Sequence, residues 1–273
     1  MNRRSLPLWF WMTFFIILPL ALIIFFAFFE KTTEGVVFST KFITTAIRNP
    51  DYMRTMWYSI WIALLSTVAC LVLGYPLAMI LSTVKIKLRN FMLILFILPM
   101  WMNFLIRTYA LMAILEDNGT INSMLKFIGL PTIRILGTDW AIIIGMVYNF
   151  LPFMVFPIYT IMLKIDKGII EAAQDLGANS LTVFSKVILP LSIPGIISGV
   201  MMVFMPAVTT FIIPQLLNNK SWTIGTLIEM QFKGDAYNPN LGSAISLILM
   251  VLIVIGMSIL NKFDHEHEAG GIL

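Results

Sequence analysis

Residues able to do chemistry are scarce in this chain, and they are scattered. His265-Glu266-His267-Glu268, near the C-terminus, has donors for a weak metal contact, although the same four residues read equally as a solvated polar tail. Cys70, the single cysteine, lies among Leu, Val and Ala and has no second thiol to pair with. Arg107 stands about 24 Å into an apolar run at 1.5 Å per residue, near its far end, where it can snorkel outward or reach Glu116 and Asp117. Glu171 and Asp175 are spaced to lie one helical turn apart, a like-charge pair that favours a cationic partner over a neighbour on its own helix. The chain lacks a G-x-x-x-x-G-K-[ST] phosphate loop, H-E-x-x-H, G-x-S-x-G and paired-cysteine metal spacing. Catalysis by this chain itself is therefore not expected, nor is direct nucleotide binding.

The elements that hold these residues follow from composition. Of 273 residues, 59% are hydrophobic and 12% charged, and the mean hydropathy is +0.91. Soluble domains of this length carry about twice that share of charge. Lipid must solvate much of the surface, which excludes a soluble enzyme, a disulfide scaffold and a disordered chain. A net charge of +4 does not point to nucleic acid, because the cations stand in small groups beside apolar runs. Six runs suit a bilayer of about 20 residues per helix: Leu8–Phe29, Trp57–Val84, Phe91–Leu115, Trp140–Leu163, Ile188–Ile213 and Ser243–Leu260. The first follows Arg3 and Arg4 but is too long for a signal-peptide core and has no small-x-small cleavage site, so it reads as a membrane helix.

With both termini inside, Lys and Arg number nine in the inner segments and eight in the outer ones. The inner segments are far shorter, and 84–90 packs three cations into one turn, so charge density places both termini in the cytoplasm. No run contains Asp, Glu or His. A proton-coupled carrier needs an intramembrane relay, which disfavours that class. Sodium coupling through the carbonyls of broken helices remains an alternative. Prolines at 19, 76, 99, 152, 157, 194 and 206 punctuate the runs and are compatible with kinks or with ordinary packing.

The cytoplasmic segment between the fourth and fifth runs, 164–190, carries the strongest local signals. Asp166 is placed to cap a helix, Gly177 to end it in the left-handed region, and Asn179 or Ser180 to cap a second helix stopping near Pro190. Ile169, Ile170, Ala173 and Leu176 recur at helical spacing and Glu171 and Asp175 lie on another face, with Ala172, Ala173 and Gly177 small enough for close approach by a partner.

Glu171-Ala172-Ala173, three residues, Gly177, nine residues, Val187 and then Leu189-Pro190 resembles the EAA motif of ABC importer permeases, with valine where the family usually has isoleucine. Residues 69–78, 98–109 and 151–159 are similar to the permeases of spermidine/putrescine importers. The resemblance implies an all-α membrane protein of six transmembrane helices with the type I importer permease fold. It divides the chain into a first helix and outer segment (1–58), a permease domain (59–260) and a cytoplasmic tail (261–273). It makes Glu171, Ala172, Ala173, Asp175 and Gly177 the coupling helix, docked in a cytoplasmic ATPase dimer that binds ATP and Mg, with no cofactor in this chain. It further implies a second permease subunit, an extracytoplasmic polyamine-binding protein, membrane lipid around the spans, and location in a bacterial inner membrane. For a polyamine cargo, the aromatics with polar tips are Trp101, Tyr109, Tyr148 and Tyr159, which offer cation–π contacts. Glu116, Asp117, Glu229 and Asp235 would make the outer mouth negative. Relatives carrying other small solutes share the coupling motif, so the motif does not select the cargo.

Overall fold

A computed structural model of the chain describes residues 10–32, 35–233 and 237–270. Helices dominate, as apolar runs in lipid require: every backbone group must be satisfied within the segment. In order they are α1 (Phe10–Phe28), a hairpin of β1 (Phe29–Thr32) and β2 (Gly35–Phe38), α2 (Lys41–Arg48), α3 (Pro50–Thr83), α4 (Ile86–Trp101), α5 (Phe104–Leu115), α6 (Thr120–Phe127), α7 (Asp139–Met162), α8 (Lys167–Asp175), α9 (Ser180–Thr209), α10 (Ile212–Leu217), α11 (Ile224–Lys233) and α12 (Pro239–Gly270). Five of them (α1, α3, α7, α9 and the first 21 residues of α12) are long and apolar enough to cross a membrane.

The third run differs from its expectation as one straight span. It breaks at Met102–Asn103, and the helical axis turns by 101° between Ile86–Trp101 and Phe104–Phe127. Pro99 has no N–H to continue the ladder, and the Asn103 carboxamide accepts from the N–H groups of Leu105 (2.9 Å) and Ile106 (3.4 Å), starting a new helix. The fifth run also departs from its expectation. No stop occurs at Pro190. The short helix after Asn179 runs on through a π-turn at Phe184–Ile188 into the span, with Leu189 N–H donating to Phe184 O. The wider i→i+5 turn passes the chain into Leu189–Thr209 with Pro190 in its first turn, where a missing N–H costs nothing. The same run ends at Thr209, and Ile212–Leu217 forms a separate short helix.

The chain packs as two units, 1–58 with 223–256 and 59–222 with 257–273. In the first, the hairpin pairs Phe29 with Phe38 and Thr32 with Gly35, and the Phe38 ring lies 5.8 Å from Phe28 and 5.7 Å from Phe29. The Asn240 amide, at the start of α12, donates to the carbonyls of Phe26 (2.9 Å) and Phe29 (2.6 Å), tying down the end of α1. Ala27, Ala46, Ile224, Leu227 and Ile245 are buried in this unit.

The second unit is centred on α7 against α9. Its core contains Ile142, Met146, Met154, Ile158, Val203 and Val208. Gly195 and Gly199, four residues apart on α9, let the two backbones approach. A Cβ on Gly195 would stand 3.0 Å from Ile158 Cα and Pro157 O, and one on Gly199 would stand 2.8 Å from Met154 Sδ. Small residues at this spacing are how helices pack closely in lipid, where the hydrophobic effect supplies no drive between them.

Candidate functional site: a capped, exposed helix and the spans behind it

The segment after α7 folds as its residue types dictate. Asp166 Oδ1 accepts from Gly168 N–H (2.9 Å) and opens α8. At the other end Gly177 has φ +84°, Gly177 N–H donates to Gln174 O (2.9 Å) and Ala178 N–H to Ala173 O (3.1 Å). That pair of bonds is a Schellman ending, and it needs the left-handed residue that glycine supplies. Asn179 then caps the next helix, accepting from Thr182 N–H and Oγ1–H at 2.8 Å each. Two caps and one glycine thus fix a nine-residue helix and a sharp elbow.

The surface of that helix is bare. Glu171, Ala172 and Asp175 are exposed, and Ile170 and Ala173 are half-buried. Leu176 is 90% exposed and Leu181 just beyond the elbow 75%. Both leucines stand open on either side of an ordered elbow that is capped at each end. The space around Gly177 is also open within this chain, so its constraint here is backbone conformation.

Behind the elbow, contacts run into the spans. The Phe184 ring meets Tyr75 of α3 edge-on at 5.8 Å. Ser192 Oγ donates to Leu189 O (2.9 Å), so the Tyr75 hydroxyl donates to Ser192 Oγ at 2.9 Å. Tyr75 and Ser192 are both buried, and this chain of contacts joins the first half of α9 to the C-terminal half of α3.

The aromatic and acidic residues chosen from the sequence do not gather in one place. In the second unit, Trp101 is 86% exposed at the broken end of α4, Tyr109 is 53% exposed on α5 and Tyr148 is 44% exposed on α7. Tyr159 is buried at 8% in the packed face of α7. Glu116 and Asp117 line an open depression of about 300 Å³ with Asn118, Arg134 and Leu136. Glu229 is in the first unit, 3.9 Å from Lys233 on the next turn. Asp235 lies outside the described residues, as do Arg3, Arg4 and the side chains of His265 and His267.

Arg107 corrects the sequence reading. It forms an ion pair with neither Glu116 nor Asp117 and does not snorkel: it is 7% exposed. Its Nε donates to Asn149 Oδ1 (2.8 Å) and its Nη1 to Pro99 O (3.0 Å), with the guanidinium 5.8 Å from the Phe104 ring and 6.0 Å from that of Tyr148. Asn149, fully buried on α7, was not singled out by sequence reasoning. The available signal was an amide inside an otherwise apolar run that also holds no acid to meet a buried arginine.

A doubly capped, exposed helix between a proline-punctuated span and a glycine-packed one, in a chain of five to six apolar spans, marks a multi-pass membrane protein. The chain belongs to the family of binding-protein-dependent transport system inner membrane components, whose family model matches residues 71–266. It is a multi-pass inner-membrane protein. Among individual proteins it is 40% identical to the spermidine/putrescine transport system permease protein PotB of Escherichia coli strain K12, over 92% of each chain. With the PotB of Haemophilus influenzae it shares 39% identity over 90% of this chain and 87% of that one. The inner membrane ABC transporter permease protein YdcU of Escherichia coli is 27% identical over 80% of this chain and 74% of its own. The fold is that of ABC importer permeases. A chain of a bacterial ABC transporter importing the acidic polysaccharide alginate superposes with a TM-score of 0.80 at 19% identity, covering 96% of this chain and 94% of that one. A chain of the inward-facing MetNI methionine ABC transporter gives 0.56 at 20% identity, over 80% and 94%.

Proposed function

We propose that this chain is one of two permease subunits of an ATP-driven importer of spermidine and putrescine, with the permease domain at 59–260 and both termini in the cytoplasm. The observation that carries the cargo is the 40% identity with PotB over 92% of both chains. At that coverage the likeness includes the spans as well as the coupling segment. α8 docks in a groove of a cytoplasmic ATPase dimer, which binds ATP and Mg and performs the hydrolysis. A polyamine-binding protein outside the membrane delivers the cargo and supplies most of the selectivity.

Alternating access follows from this assembly. Closure of the ATPase pair on ATP carries α8 with it. The Schellman elbow and the π-turn pass that displacement into α9, and the Tyr75–Ser192 contact passes it into α3. The spans then open outward to the docked binding protein, and hydrolysis resets them. With no carboxylate in mid-membrane, a polyamine passes through weak cation–π and carbonyl contacts of about 0.5–2 kcal/mol each, which suits a conduit that must release what it admits. Glu116 and Asp117 favour cations in the open depression that they line. Reconstitution of the full complex in proteoliposomes tests the assignment: labelled spermidine and putrescine should enter only with ATP and binding protein, ahead of amino acids, sugars and inorganic ions. Brisk uptake of another solute with indifference to polyamines would overturn it.

A further inference from the structure

A guanidinium 7% exposed inside an apolar run is costly unless its donors are satisfied, and no carboxylate lies in any of the runs to neutralise it. One partner of Arg107 belongs to the helix break and the other to the span packed beside it. Pro99 O is free for a second bond because α4 ends two residues later; its other donor is Met102 N–H at 3.2 Å. Asn149 Oδ1 is held ready because its Nδ2 already donates to Gly145 O (2.8 Å) on the previous turn of α7. Asn103 fastens one side of the break by capping α5, and Arg107, one turn further along α5, fastens the other side to α4 and α7 together. Only a planar fork with several donors reaches both acceptors; a lysine ammonium on a single stem reaches one. Next to Pro99, Met100 stands in the wall of an open depression of about 470 Å³, opposite Phe153, Phe156, Thr160 and Ser198.

We propose that Arg107 is a positioning residue for transport: with Asn149 it latches the broken third run to the fourth, and through Pro99 it sets where Met100 stands in that depression. This rests on the import function proposed above. The latch is read by the maleimide labelling rate of Met100→Cys in a Cys70→Ala background, measured on the assembled complex in detergent, and by spermidine uptake in proteoliposomes. Arg107→Met and Asn149→Leu should each change the labelling rate about tenfold, the equivalent of one charge-assisted hydrogen bond. The double variant should change it no further. Arg107→Lys should fall between, and so should Asn149→Asp, which keeps an acceptor for the guanidinium but loses the Nδ2 donor to Gly145 O. Uptake turnover should fall in the same order, with the binding-protein concentration for half-maximal uptake unchanged. Labelling unaffected by Arg107→Met, or additive effects in the double variant, would overturn the latch. Should Arg107→Met fail to assemble, the other two decide: Arg107→Lys matching the parent, or Asn149→Asp labelling as Asn149→Leu does, would overturn it too. Labelling involves no cargo, so loss of spermidine uptake by the parent complex would refute the import reading and leave the latch standing.

Discussion

Gly177 enters the left-handed region at φ +84° with open space where a Cβ would be. Alanine there meets no neighbour in this chain, yet it costs about 1–2 kcal/mol for backbone conformation alone, whereas asparagine, which visits that region more readily, should cost less. The expected order of ATPase retained on the detergent-purified complex is therefore glycine, asparagine, alanine, valine. Equal retention by all four would show that the elbow can reform without the positive φ. Glu171→Lys acts by a different route. It leaves the helix caps intact and reverses a charge on the bare face, so the variant should insert normally while ATPase retention and uptake both fall, and raising the salt concentration should narrow the difference from the parent. Tyr75→Phe tests the contact behind the elbow. Ser192 keeps its bond to Leu189 O, so only one buried hydroxyl interaction is lost, worth about 1 kcal/mol, and thermal melting of the complex should fall by less than for Tyr75→Leu, which also removes the ring packed on Phe184.

At the scale of elements, close packing of α7 on α9 depends on two small residues. Gly195→Val forces a side chain between backbones already in contact and should cost at least about 1–3 kcal/mol, seen as a lower yield of folded protein on size-exclusion chromatography. Gly256→Val, where a Cβ meets open space, is the control and should express as the parent does. The glycine pair was in the sequence and passed unread, because four-residue spacing of small residues is common in apolar helices. What could be read were features with local chemistry: the Asp166 cap, the Gly177 ending and the Asn179 cap each follow from one side chain and its nearest backbone. The break in the third run could not be read from hydropathy, because Met102 and Asn103 barely lower the average of a window this apolar. Its marker was Asn103, a capping residue four positions after a proline. Pro190 misled in the opposite direction. A proline usually ends a helix, and only the π-turn before it, which depends on packing at Phe184, lets this one continue. Arg107 was misplaced for the same reason as the break: its depth was counted along a straight helix.

For the whole molecule, the proposed orientation rests on charge density and on the docking role proposed for α8, two separate properties of the chain. Lys85 stands between α3 and α4 with Lys87 and Arg89 in the first turn of α4, and Lys164, Lys167 and Lys186 stand before, at the start of and beyond α8. If these segments are cytoplasmic, every apolar helix between them and the outer segments must cross the bilayer once, with α4 and α5 counted as one broken span. Cys70 is fully buried, so Cys70→Ala removes the only native thiol at the cost of a small side chain and should leave uptake nearly intact. In that background, Lys87→Cys and Gln174→Cys should resist a membrane-impermeant maleimide in intact cells and react once the membrane is permeabilised. Asn118→Cys, in the open depression beside Glu116 and Asp117, should react in intact cells given access across any outer membrane. Labelling at 174 in intact cells would set α8 on the outer side, away from ATP, and the coupling role would fall with the topology. Labelling at 87 alone would instead confine the error to the hairpin between α3 and α4 and leave the docking helix where the mechanism needs it.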